Sequence, residues 1–204
     1  MHAPVKLFLA SSNPGKLAEY RALTAADTTS LPVELELLPD FETLRAFEEK
    51  APTFSENAAG KALHYSRLRN GLVFADDSGL VVPALGGAPG VHSARYAGPK
   101  ATNAQKIEKL LAALQGKTGE ERSAYFVCAI ALAERGRARA IVTNRIDGEI
   151  PGAPRGTGGF GYDPVFYFPA LHKTFAEIPA EEKNLRSHRG KAFRRLLSAL
   201  PSML

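Results

Sequence analysis

Two adjacent carboxylates, Asp76 and Asp77, follow directly on the apolar run Leu72-Val73-Phe74. A short apolar run bounded by Gly71 on one side and by acids on the other reads as a buried strand. The acids then fall at the strand's end, where open α/β sheets place their ligands. Ser78-Gly79 is expected to turn the chain into a long loop containing Gly86, Gly87, Pro89 and Gly90. Paired carboxylates in such a place suit a hard cation such as Mg²⁺, which takes oxygen ligands and keeps several waters. The plainer alternative is that Asp-Asp-Ser-Gly is only a turn.

Four other stretches hold residues that could act on a ligand. Ser11-Ser12-Asn13 lies between the apolar run ending at Ala10 and a helix with Pro14 at its first position and Asn13 as its cap. Such a helix mouth is an anion site, and Lys16 one turn in could add a positive charge. The spacing is not that of a P-loop, and taken alone the stretch reads better as an ordinary capped helix with a surface lysine. Asn57 and Lys61 are four apart on a second helix, opened by Thr53-Phe54-Ser55-Glu56, and share a face. Between Pro151 and Pro169, Gly156, Gly158, Gly159 and Gly161 would let backbone approach a ligand closely, and Phe160 among them could stack on a base. Farther on, Ser187 can cap the final helix, which puts His188 and Arg189 in its first turn as candidates for reading a polar ligand edge.

These residues need elements to hold them. Strands are expected at 5–10, 33–38, 123–133 and 138–146, the last two joined near Gly136 as a hairpin. Helices are expected from Pro14 to near Ala26, from Thr53 to Asn70-Gly71, from Thr102 to Gly116 and from Ser187 onward. Strands and helices mix without regular alternation, so the fold class is α/β, a long mixed sheet with helices on both faces.

With 204 residues, 45% hydrophobic and 23% charged, the chain has the composition of an ordinary globular protein, expected as one domain over 1–204. Its one cysteine excludes an internal disulfide, and Cys128 lies in an apolar run, as a buried thiol would. The apolar piece near the N-terminus is too short for a secretory signal or a span, so a cytoplasmic protein without a membrane partner is expected. The formal net charge of +5 favours anionic partners. A nucleic-acid-binding protein would show a basic stripe with interleaved aromatics. Here the basic residues are spread along the chain, and no nucleic-acid partner is expected.

Five stretches together resemble the inosine triphosphate pyrophosphatase family: SSNPGK (11–16), TFSENAAGKA (53–62), DDSGLVVPALGGAPGVHSARYAG (76–98), GTGGFGYDPVF (156–166) and EKNLRSHRGKA (182–192). The resemblance spans nearly the whole chain and implies two lobes around a cleft, a homodimer, and Mg²⁺ as cofactor. It implies hydrolysis of non-standard purine nucleoside triphosphates (ITP, dITP, XTP) to the monophosphate and pyrophosphate. By the same resemblance Ser11, Ser12, Asn13, Lys16 and Lys61 bind the triphosphate, and Ser78 contacts substrate. Glu48 and Asp77 match the metal carboxylates, with Asp77 the proton acceptor. Phe160, Gly161, Tyr162, Asp163, Lys183, His188 and Arg189 match the base pocket. Glu48-Glu49 is followed by Lys50-Ala51-Pro52, where the family commonly has Thr-Gly, which leaves open which glutamate faces the metal. The related septum-inhibitor-type nucleotide pyrophosphatases are the alternative enzyme reading.

Overall fold

Leu7 and Leu9 are fully buried on β1 (Val5–Leu9), which lies next to the edge strand of a seven-stranded sheet. The computed structural model describes residues 3–26 and 31–204. The other strands are β2 (Val33–Leu37), β3 (Leu72–Val81), β4 (Ser123–Glu134), β5 (Arg137–Glu149), β6 (Tyr167–Phe168) and β7 (Lys173–Thr174). They order as β2-β1-β3-β4-β5-β6-β7. β1 runs parallel to β2 and to β3, while β5–β6 and β6–β7 are antiparallel, so the sheet is mixed, as expected. The helices are α1 (Pro14–Ala25), α2 (Phe54–Leu68), α3 (Asn103–Ala113), α4 (Ala180–Arg186) and α5 (His188–Ala199). The short α4 has no counterpart among the expected helices.

Contacts divide the chain into two compact units. One comprises Met1–Asp77, Cys128–Asn144 and Arg189–Leu204; the other comprises Ser78–Val127 and Arg145–His188. In the first, alternate residues of β1 and β3 serve two cores. Leu7, Leu9, Leu72 and Phe74 pack with Tyr20 and Leu23 of α1 and with Phe193, Leu196 and Leu197 of α5. Val73 and Ala75 point the other way, toward Ala58, Ala62 and Tyr65 of α2. The alanines there let α2 lie close on the strands. The second unit has its own core, in which Leu80, Ile107, Leu110, Phe126, Phe166 and Phe175 come together.

One expectation fails. The chain does not turn at Ser78-Gly79, because β3 continues through Asp76, Asp77, Ser78 and Gly79 to Val81. Its apolar continuation, Leu80-Val81, is buried, which rewards extension over a turn. The pairing of β3 with β1, however, stops at Phe74, where the Ala10 N–H donates to the Phe74 carbonyl at 2.9 Å. The two acids therefore lie in mid-strand on β3 but just past the carboxyl end of β1, the side on which parallel strands present ligand sites.

Candidate active site

Successive strand residues face opposite sides of a sheet, so the adjacent acids cannot share one environment. Asp76 faces α1 and α5. Its Oδ2 lies 2.8 Å from Lys16 Nζ and 3.7 Å from Arg189 Nε. Burial alone would raise this carboxyl, but Lys16, Arg189 and Lys61 outweigh it and hold it below the usual range. Arg189 is itself buried and also pairs with Glu19 on α1. Its guanidinium pKa is raised: burial opposes the charge, while Glu19 and Asp76 favour it more strongly.

Asp77 faces α2. Asn57 donates to its Oδ2 at 3.1 Å, and the same amide group donates to the Ala51 carbonyl at 3.2 Å while accepting from the Ala51 N–H at 3.0 Å. Asn57 thus ties the loop after Glu49 to the carboxylate. Burial, and next the charge of Glu49, push the Asp77 carboxyl up to about 6 against the pull of Lys16, Asn57 and Lys61. Lys61 pairs with Glu49 and donates to the Asp76 carbonyl at 3.4 Å. Glu48, matched to the metal site by resemblance, is 71% exposed and pairs with Lys50. Glu49 is the glutamate that the structure brings to Asp77.

The donor chemistry here fits a hard divalent cation. Asp77 and Glu49 offer carboxylate oxygens whose mutual repulsion a cation would relieve. Among the described residues no three His, Cys, Asp or Glu side chains gather into a cage.

The mouth of α1 lies in the same unit. Asn13 Oδ1 accepts from the Gly15 N–H at 2.9 Å and the Lys16 N–H at 3.3 Å, and Ser11 Oγ accepts from the Asn13 N–H at 3.1 Å. The cap is therefore as expected. These two amides are satisfied by Asn13, which leaves the helix dipole, Ser12 and the Lys16 ammonium as what an anion would meet.

The second unit gathers the other candidates. Asp163 Oδ2 accepts from the Phe160 N–H at 2.8 Å and from Lys183 Nζ at 2.6 Å. That ammonium stands 5.0 Å from the centre of the Phe160 ring. Tyr162 is buried and donates to the Ser93 carbonyl at 2.9 Å, and burial raises its phenol. His188 is buried and stacks on Phe126, with ring centres 4.7 Å apart. Gly161, with φ of 64°, has open space where a side chain would stand. Ser78 directly follows Asp77 on β3.

The expected residues thus fall into two groups. Lys16, Lys61 and Asp77 come together with Asp76 and Glu49, beside Ser11, Ser12 and Asn13. Phe160, Asp163 and Lys183 form the other group, with Tyr162 and His188 built into the core near them. Arg189 belongs with Asp76 and Glu19. Glu19 was not singled out from sequence, since one acid on a helix gives no signal. Thr174 was missed too, although Thr174-Phe175-Ala176-Glu177 has the spacing of a capping box.

Comparison with known proteins follows the same lines. The model of the Ham1 family matches residues 7–199. A dITP/XTP pyrophosphatase of Geobacillus kaustophilus is 51% identical over 191 residues, 94% of this chain and 92% of that protein. One of Gloeobacter violaceus is 50% identical over 192 residues, with the same coverage. Among solved structures, a HAM1 protein from Coxiella burnetii superposes with a TM-score of 0.85 at 42% identity, covering 97% of this chain and 99% of the other.

Proposed function

The chain belongs to the Ham1 family, and on that premise we propose how its residues perform hydrolysis. It is a nucleoside triphosphate pyrophosphatase, and it hydrolyses non-standard purine nucleoside triphosphates to the monophosphate and pyrophosphate, in keeping with relatives named dITP/XTP pyrophosphatase. The septum-inhibitor-type and nucleic-acid-binding alternatives are not favoured by those relatives.

In our reading the group around Asp77 receives the triphosphate. The observation that supports this best is the split carboxylate pair. Asp76 is held ionised among cations and keeps Lys16 in place, while Asp77 is raised to about 6 and can take a proton near neutral pH. Water attacks the α-phosphorus, its proton passes to Asp77, and the bond from the α-phosphorus to the bridging oxygen breaks. Lys16 and Lys61, with Ser11, Ser12 and Asn13 at the α1 mouth, bind the phosphates and offset the charge that develops on the departing pyrophosphate. Asp77 and Glu49 would hold a divalent cation, taken to be Mg²⁺, which polarises phosphoryl oxygens and acidifies water when bound.

Phe160 and Lys183 receive the base, with Asp163 holding both, and Gly161, Tyr162 and His188 complete the base-side group. Lys183 offers only donors, which suits the 6-keto oxygen of inosine and xanthine and opposes the adenine 6-amino group. Arg189 acts through Asp76 in this reading. Family resemblance also supports a homodimer and a cytoplasmic location. No helix among the described residues is long and apolar enough to cross a membrane.

The test is phosphorus NMR of reactions with dITP, XTP, ITP, ATP and GTP. Pyrophosphate and monophosphate should rise together from the first three in the presence of Mg²⁺, and a chelator should stop the reaction. A nucleoside diphosphate appearing first, or undiminished turnover in excess chelator, contradicts the reading.

A further inference from the structure

The dense glycines at 156–161 have a cause inside the protein. A Cβ on Gly156 would stand 2.5 Å from the Ala176 carbonyl carbon and 2.8 Å from the Glu177 nitrogen. One on Gly158 would stand 3.0 Å from the Ala176 oxygen. Backbone cannot yield as a flexible side chain can, so Gly156, with φ of 77°, excludes larger residues, and Gly158 leaves a side chain only a tight fit. The Gly158 N–H donates to that same oxygen at 3.0 Å. Two residues away, the fully buried Thr174 donates its hydroxyl to the Arg155 carbonyl at 2.8 Å. The Thr174 N–H in turn donates to Glu177 Oε2 at 2.7 Å, and a capping box closes the turn 174–177.

This turn reaches both halves of the Phe160–Lys183 pair. Phe160 lies two residues beyond Gly158. Pro179 leads from the turn straight into α4, which carries Lys183. The loop also borders a groove of about 810 Å³, lined in part by Ile107 and Leu111 of α3.

We propose that Thr174 and Glu177 are positioning residues for base recognition: the capped turn 174–177 and the glycines laid on it form a latch that sets Phe160 against Lys183. The inference rests on reading Phe160 and Lys183 as the base subsite. Neither Thr174 nor Glu177 touches the base.

Thr174→Val keeps the volume and removes the hydroxyl, whereas Thr174→Ser keeps the hydroxyl. With Mg²⁺ present, Thr174→Val should raise KM for dITP about tenfold, the equivalent of one lost hydrogen bond, while kcat stays within about threefold. It should also narrow the dITP-to-dATP ratio of kcat/KM. Thr174→Ser should stay within about twofold of wild type in both. Phe160→Ala, run in parallel, separates the two levels of the claim. If Phe160→Ala raises KM and Thr174→Val does not, the latch is wrong and the base subsite stands. If Phe160→Ala leaves KM and the ratio unchanged, the subsite is wrong and the latch falls with it. A fall in kcat shared by the Val and Ser variants marks Thr174 as a folding residue and overturns the proposal. Amide exchange in the wild-type protein gives a check independent of any variant. The Gly158 amide should exchange at least about tenfold more slowly than that of Thr157, and equal rates would refute the latch.

Discussion

Asp77 meets opposed demands at the scale of a single residue. As the proton acceptor we propose, it has to be ionised near neutral pH, yet its surroundings resist the charge and place its carboxyl at about 6, up from 3.8. The folded protein thus holds this proton more tightly than the unfolded chain. Stability contributed here is greatest at low pH, falls as pH rises from about 3.8 to 6, and stays low above that. A shift of about two units corresponds to roughly 3 kcal/mol as an upper bound. Asp77→Asn keeps the contact with Asn57 and removes the charge. We predict that, free of metal at pH 7.5, it melts higher than wild type by roughly 2–3 kcal/mol equivalent, and that the gap closes toward pH 4. The same variant should lose turnover. Thermal melts across this pH range check the sign, and a variant less stable at pH 7.5 than at pH 4, relative to wild type, contradicts it.

Helix caps separate stability from chemistry at the scale of elements. α1 is capped by Asn13 and α3 by the Thr102–Gln105 capping box. Each cap satisfies amides that would otherwise lack a partner, and losing one costs about 1 kcal/mol. For a protein of this size that amounts to roughly 2–4 °C in Tm. Asn13→Ala and Thr102→Ala should therefore destabilise comparably. Only Asn13 lies at the helix that carries Lys16 to Asp76, so only Asn13→Ala should lower kcat/KM for dITP, by several-fold. Equal kinetic losses in both would show that the effect is one of stability alone. β3 is the other informative element. Its strand character was legible up to Phe74, but its continuation past the acids was not. Asp-Asp-Ser-Gly is good turn chemistry, and only the burial of Leu80 and Val81 and the cations around Asp76 override it.

For the whole molecule, a ligand that binds only the folded state raises stability by mass action. A cation at tenfold its Kd adds about 1.4 kcal/mol. Mg²⁺ should therefore raise the wild-type Tm by roughly 3–5 °C. The Asp77→Asn protein, already relieved of repulsion with Glu49, should respond little. Equal shifts in the two proteins would place the ion elsewhere. The surplus of cations, 26 Lys and Arg against 21 Asp and Glu, suits an enzyme of polyanionic substrates. Locally, Lys16 and Lys61 stand beside the two acids.

Local patterns were readable in the sequence because they depend on neighbours in the chain. Caps, the connection near Gly136 and the strands expected at 5–10 and 33–38 follow from period and turn chemistry, and the five motifs in order sufficed for the family. Distance in the chain hid the rest. Glu48 and Glu49 are adjacent and alike in type, and which of them meets Asp77 depends on how Asn57, on another element, grips Ala51. Arg189 was matched to the base pocket by resemblance, and nothing in the sequence announced that its guanidinium also pairs with Glu19, 170 positions earlier. The glycines at 156 and 158 promised room for a ligand, and folding gave that room to the backbone of Ala176. Residue type states what a side chain can do; which partner it meets is decided by packing across the sheet, where a partner's place in the sequence carries no weight.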